Sequence, residues 1–238
     1  MNKTFNLALN TPDGETLGAW FVLSDAYHQS TAPEDRVLSE ERLSYAIQNY
    51  PTILFLHGNA ATRAFHVRVQ YYTSFTSRLA ANVLAIDYRG FGESTGTPSE
   101  DGLITDARAA FDWLVDHGAA AKDILIVGHS LGTGVGGGLA ARLSIDKVDY
   151  KAVVLLSPFS SITELLSTYH ILGLVPLMSP LSIIPYAASA YFPSVYSYDP
   201  EIPLEFIPWA LTHKFDTIHV MPVSVLHNSG PQTAILPV

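Results

Sequence analysis

The amino-acid sequence predicts an α/β fold: a mostly parallel, doubly wound sheet with helices on both faces. Four continuous apolar runs of strand length recur along the chain, at Thr52–Leu56, Asn82–Asp87, Asp123–Val127 and Lys151–Leu156. Runs without polar alternation suit strands buried on both faces, as in parallel sheets. Segments with helical spacing separate them, and parallel neighbours require such crossovers. A third observation is local. Gly128-His129-Ser130-Leu131-Gly132 follows one of these strands and opens a Gly- and Ala-rich stretch, Thr133 to Leu143, that reads as a helix.

The 238 residues fit one large α/β domain. With 48% hydrophobic and 15% charged residues, the chain can bury a sizeable core. Its net charge of −9 argues against nucleic acid as a partner, because phosphate binding needs a basic surface. The absence of cysteine excludes disulfides and thiolate-held metals, and no metal or other cofactor is expected. Met1-Asn-Lys-Thr-Phe-Asn lacks the apolar run of a signal peptide, and no uninterrupted apolar stretch is long enough to span a bilayer. The expected location is cytoplasmic or peripheral to an internal membrane; the oligomeric state stays open.

Phe5–Leu9 and Gly18–Leu23 read as two strands joined across Pro12-Asp13-Gly14, a hairpin signal. Ser24–Asn49 is polar and reads as a surface loop with a short exposed helix. The strand Thr52–Leu56 ends in His57-Gly58-Asn59-Ala60, and Ala61–Leu79 reads as a helix with Arg63, His66 and Arg68 on a solvated face. Asn82–Asp87 leads into Tyr88-Arg89-Gly90-Phe91-Gly92-Glu93-Ser94, whose glycines make a tight loop. Asp87 and Arg89 read as structural groups that fix this loop near the serine. Ser99 suits the N-cap of a helix running to about His117, with Leu103, Ala107, Ala110, Phe111 and Leu114 on its apolar face. Ile162–Phe192 is apolar but broken by Pro176, Pro180 and Pro185. Short lid helices over a pocket, at about residues 160–200, fit that pattern better than a membrane span. Leu172 and Leu174 belong to the residues expected at the pocket mouth or facing lipid. Met221–Leu226 reads as one more strand.

A serine on a sharp strand-to-helix turn between glycines is a nucleophile elbow. The strained turn lifts the hydroxyl above the sheet edge. The helix N-terminus behind it offers N–H groups and a positive dipole end to a developing oxyanion. A His-Gly turn after an earlier strand commonly supplies the second oxyanion N–H in such sites. His57 reads as a brace for that turn rather than as a base.

Ile53–Arg63, Asp87–Glu100 and Gly128–Gly134 together resemble the serine hydrolases of the α/β-hydrolase superfamily, in particular the monoacylglycerol and lysophosphatidylserine lipase branch. The resemblance covers roughly residues 5 to 215, with three motifs in the right order. It implies an α/β-hydrolase fold with an inserted lid, Ser130 as nucleophile, and an oxyanion hole from the N–H groups of Asn59 and Leu131. His57, Gly58, Asp87, Arg89, Gly128, His129 and Gly132 would be the supporting motif. It also implies an acid a few residues past His227, where Asn228-Ser229-Gly230 stands, and a histidine after one further strand. His213, His219 and His227 are the late histidines, none at the family's position, and Glu164 is a weak substitute acid. The chain therefore reads as truncated at its C-terminus, with the last strand and helix of the fold missing, and weak or no activity is expected of residues 1–238.

The function expected is hydrolysis of lipid acyl esters, of monoacylglycerol or lysophospholipid type, by Ser130. The partner would be a small lipid ester, with peripheral membrane contact through the lid. A non-catalytic fragment that binds lipid or a partner is the alternative of another class. Prolyl-peptidase-like or thioesterase activity is a further alternative, because the elbow does not encode the leaving group.

Overall fold

The computed structural model describes residues 3–32 and 36–158, and beyond them the backbone of three short strands at 170–171, 175–176 and 232–236. The first hairpin pairs β1 (Thr4–Asn10) with β2 (Thr16–Val22), Phe5 opposite Phe21 and Leu9 opposite Leu17. Gly14 sits at its turn with φ of 94°, a left-handed conformation natural to glycine. β2 also pairs antiparallel with β4 (Asn82–Ile86). From there every pairing in the large sheet is parallel: β4 with β3 (Thr52–Leu56), β3 with β5 (Ile124–His129), β5 with β6 (Ala152–Leu156), and β6 with β9 (Gln232–Leu236). The order is β1-β2-β4-β3-β5-β6-β9.

Period-two geometry divides each central strand between two cores. Leu54, Leu56, Leu84, Ile86, Ile124 and Ile126 face one core, which receives Leu103, Ala107, Phe111 and Leu114 from α4 (Glu100–Asp116) and Val135 and Leu139 from α5 (Leu131–Ile145). Ile53, Phe55, Val83, Ala85 and Val127 face the other, closed by Tyr72 and Phe75 of α3 (His66–Arg78). Covered faces on both sides explain why these strands show no polar alternation. α4 starts at Ser99, whose hydroxyl accepts from the Gly102 N–H at 3.1 Å, and Glu100 and Asp101 lie in its first turn, where the helix dipole favours acids.

Three expectations need correction. The 24–49 segment holds two helices, α1 (Asp25–Ser30) and α2 (Glu40–Asn49), and α2 is no exposed helix: Leu43, Ala46 and Ile47 are buried in the core. The polar residues between them masked that apolar face. The helix expected from Ala61 begins only at His66, because Ala60 and Ala61 take left-handed φ of 61° and 54° and hold the chain in a loop. The strand beside β6 is Gln232–Leu236, where the last strand of the fold was expected to be missing. Its Thr-Ala-Ile-Leu core between Pro231 and Pro237 is compatible with an edge strand bounded by residues that cannot donate to a ladder. Met221–Leu226 lies outside the described residues. So does most of the expected lid; its described part is an antiparallel pair of two-residue strands, β7 (His170–Ile171) and β8 (Val175–Pro176), where short helices were expected.

Candidate active site

β3 and β5 run parallel with Leu56 opposite Gly128, so the loops that follow them meet at the carboxyl edge of the sheet. That edge is where ligands bind in open α/β sheets. Ser130 stands there between β5 and α5, with φ 50° and ψ −117°. A non-glycine residue in this region is strained and persists only where its surroundings enforce it. Here the Ser130 N–H donates to the Leu156 carbonyl at 3.0 Å, and the Ser130 carbonyl accepts from both the N–H and the hydroxyl of Thr133, each at 2.7 Å. The flanking glycines permit the sharp turn. A Cβ on Gly128 would lie 2.2 Å from the Gly132 carbonyl oxygen, and one on Gly132 would lie 2.0 Å from the Leu56 carbonyl oxygen. Leu131, buried, opens α5.

The 57–60 loop reaches the same place. A Cβ on Gly58 would come 3.2 Å from Ser130 Cβ and 3.0 Å from His129 Nδ1, so this turn packs directly against the elbow. Asn59 is exposed, and its Oδ1 accepts from the Ala60 N–H at 2.6 Å. His57 is wholly buried behind the turn. Its Nδ1 bonds the Gly58 carbonyl at 2.7 Å, its own carbonyl accepts from the Tyr88 hydroxyl at 3.0 Å, and its ring packs on Tyr88 and Phe91. Burial pushes His57 and His129 below the ordinary imidazole range, against the opposing effect of Asp87 on His57, so both are neutral at neutral pH. His57 Nε2 stands 3.5 Å from Asp87, so this histidine faces the carboxylate behind the loop.

These residues sit in one family's pattern. A family model described as alpha/beta hydrolase family matches residues 53–226. The chain belongs to the alpha/beta hydrolase family. It is 39% identical over 164 residues to lysophosphatidylserine lipase ABHD12 of Rattus norvegicus, a match covering 69% of this chain and 40% of that protein. It is 34% identical over 158 residues to protein ABHD12B of Homo sapiens, covering 66% of this chain and 42% of that one. The chain thus spans well under half the length of the curated relatives it matches. Among solved structures, an alpha-beta hydrolase from Vibrio vulnificus aligns with TM-score 0.59 at 20% identity, covering 100% of this chain and 74% of its own. A Pyrococcus furiosus esterase aligns at 0.55 and 17%, covering 99% and 69%. These two likenesses carry the fold.

Around the alpha/beta hydrolase elbow, the other charged residues named from the sequence hold loops in place. Asp87 is wholly buried and accepts from the backbone N–H and the guanidinium of Arg63. Burial pushes its carboxyl up, but the His57 and Arg63 contacts outweigh that and keep it below the ordinary carboxylate value. Arg89 turns away from Asp87. Its N–H, Nε and Nη2 grip buried Asp106 at 2.8, 2.9 and 2.8 Å, and its outer nitrogens hold Asp13 at 2.8 and 3.0 Å. Those bonds tie the 88–98 loop to α4 and to the first hairpin.

The solvated-face reading of Arg63 and Arg68 is overturned: they are 5% and 4% exposed, and of that trio only His66 is at the surface. Residues 61–65 are loop, so the helical phase that would turn Arg63 outward does not reach it. Arg68's partners are backbone carbonyls, which no side-chain pattern announces. The buried partner of Arg89 did leave a trace: Asp106 interrupts the apolar face of α4 next to Ala107. Glu164, His213, His219 and His227 lie outside the described residues. Among the described residues, no helix is long and apolar enough to cross a membrane.

Proposed function

We propose that the chain is a serine hydrolase of lipid acyl esters, of the monoacylglycerol or lysophospholipid type. The observation that carries this reading is the strained Ser130 at the strand-to-helix turn, packed against the Gly58–Asn59 turn. The names of the ABHD12 relatives, lysophosphatidylserine lipases, favour a lipid ester over a peptide or a thioester. In this mechanism Ser130 Oγ attacks the acyl carbonyl as its proton passes to a base. The carbonyl oxygen gains negative charge and accepts from the N–H groups of Asn59 and Leu131. The C–O bond then breaks, the alcohol leaves with the proton, and water hydrolyses the acyl-serine. Of the late histidines His213, His219 and His227 none stands at the family's position for the base, and Glu164 is only a weak substitute acid, so Ser130-dependent turnover by residues 1–238 is expected to be weak. Residues 160–200 would form a lid that meets the lipid surface.

The test is hydrolysis of short-chain nitrophenyl esters, monoacylglycerol and lysophosphatidylserine by wild type and Ser130→Ala. An oxyanion hole alone still accelerates water attack by roughly 10³- to 10⁴-fold, so residual turnover without Ser130 is expected. The reading requires a Ser130-dependent part above it, together with preference for the lipid esters. Equal turnover by the two proteins would show that Ser130 is no nucleophile and would favour a lipid-binding role.

A further inference from the structure

Arg68 is an unusual cation. It lies in the first turn of α3, 4% exposed, and makes no ion pair among the described residues. Its bonds go to backbone carbonyls instead. Nη1 donates to Thr62 O at 2.6 Å, and Nη2 donates to Gly58 O at 2.9 Å, to Asn59 O at 3.2 Å and to Ala60 O. Three successive carbonyls thus converge on one nitrogen. The Phe65 ring lies 5.6 Å from the guanidinium, within reach of a cation–π contact. Burying a guanidinium without a carboxylate is costly, and burial pushes its pKa below the ordinary arginine value. A structure that merely needed to fill this space would use an apolar side chain.

The geometry of the peptide unit says what the cation achieves. In a trans peptide the C=O and the following N–H point in opposite directions. The Gly58 carbonyl is held from behind by Arg68 Nη2 and by His57 Nδ1. The N–H on the other end of that peptide belongs to Asn59, so it is turned away from Arg68. The left-handed φ of Ala60 and Ala61 fits the same convergence, since it folds the next carbonyls back onto the cation. We propose that Arg68 is a positioning residue, a buried cation that sets the 58–60 carbonyls to one side so that the Asn59 N–H is aimed at the substrate oxyanion beside Ser130. This rests on the hydrolase reading above, but it makes a separate claim about the loop.

The experiment compares wild type, Arg68→Lys and Arg68→Met in the full chain. Ester kinetics are paired with amide hydrogen exchange of residues 59–62 and of β3 and α3. A misaimed oxyanion donor lowers kcat more than it weakens binding. Arg68→Met is therefore expected to lose about 10- to 100-fold in kcat with KM changed less than about twofold, and to exchange faster at 59–62 while β3 and α3 stay protected. Arg68→Lys, which keeps the charge but not the planar fork, is expected between the two. Wild-type kcat in Arg68→Met, or exchange that accelerates equally in α3, β3 and the loop, would overturn the proposal. If Arg68→Met fails to fold, Arg68→Lys decides by the same two readouts. If wild type shows no Ser130-dependent turnover, the hydrolase reading fails on its own. Exchange still judges Arg68: unchanged protection at 59–62 in either variant overturns its role.

Discussion

Two glycine-to-alanine substitutions in α5 are predicted to act with opposite sign, although they sit four residues apart in one helix. At Gly132 the added Cβ would lie 2.0 Å from Leu56 O, 2.6 Å from Leu56 C and 2.9 Å from His57 O. Carbon atoms in contact normally stand about 3.5 to 4.0 Å apart. The obstructing atoms are backbone at the end of a central strand, so no rotamer change relieves them. About 1 Å of helix displacement is needed, and the overpacking penalty falls at the upper end of its range, about 3 kcal/mol. At Gly136 the new methyl would lie 3.6 Å from Ile126 Cγ2, 3.6 Å from Leu56 Cδ1 and 4.0 Å from Leu155 Cδ2, which is ordinary apolar contact. Alanine also restrains the unfolded chain more than glycine does, so Gly136→Ala stabilises by about 1 kcal/mol. Urea unfolding followed by circular dichroism reads both. With an m of about 2 kcal/mol/M, the midpoint falls by about 1.5 M for Gly132→Ala and rises by about 0.5 M for Gly136→Ala. A neutral Gly132→Ala, or a destabilising Gly136→Ala, would refute the packing of the elbow helix against β3 and β5.

Other predictions follow from the same contacts. Ser130→Gly relieves the strained φ of 50° and raises stability by about 1 kcal/mol while removing Ser130-dependent turnover; a fall in thermal midpoint would argue against strain at this residue. Asp106→Ala leaves the Arg89 guanidinium buried without its main partner and lowers unfolding free energy by about 3 to 5 kcal/mol, measured by denaturant titration; a loss under about 1 kcal/mol would contradict the buried pair. The hydrogen bond from Arg89, aided by Thr11, holds the Asp13 carboxyl down to about 2 from 3.8. A depressed folded value means stabilisation that is complete above about pH 4 and lost as pH falls through about 2. The effect is small because Asp13 is half exposed, and the thermal-midpoint gap between wild type and Asp13→Asn should close across that window. A gap unchanged from pH 7 to pH 2 would remove the Asp13–Arg89 pair as its cause.

How much of this could be seen in the sequence depended on the physics of each segment. The central strands and α4 were legible because burial on two faces forces continuous apolar runs, and because burial on one face of a helix forces helical spacing. The elbow was legible because the strained turn admits only small neighbours, so glycines at 128 and 132 mark it. The start of α3 was hidden. Ala60 and Ala61 carry the left-handed turn, and alanine is an ordinary helix former that gives no warning of it. Arg68 was hidden for a related reason: its partners are carbonyls, which every residue has, so no complementary side chain announced the contact. The polar stretch that concealed α2 and the prolines that bracket β9 concealed real structure by diluting the apolar pattern on which strand and helix readings depend.

The central proposal is that Ser130 is a nucleophile with a donor pair in front of it. Fluorophosphonate reagents phosphonylate such serines, and the adduct can be placed on a peptide by mass spectrometry. The measurement is the labelling of wild type against Ser130→Ala at neutral pH, with intact mass and peptide mapping of both. The account predicts one adduct, on the peptide carrying Gly128-His129-Ser130-Leu131-Gly132, lost in Ser130→Ala. An unlabelled wild type, or an adduct elsewhere that survives the substitution, would contradict it.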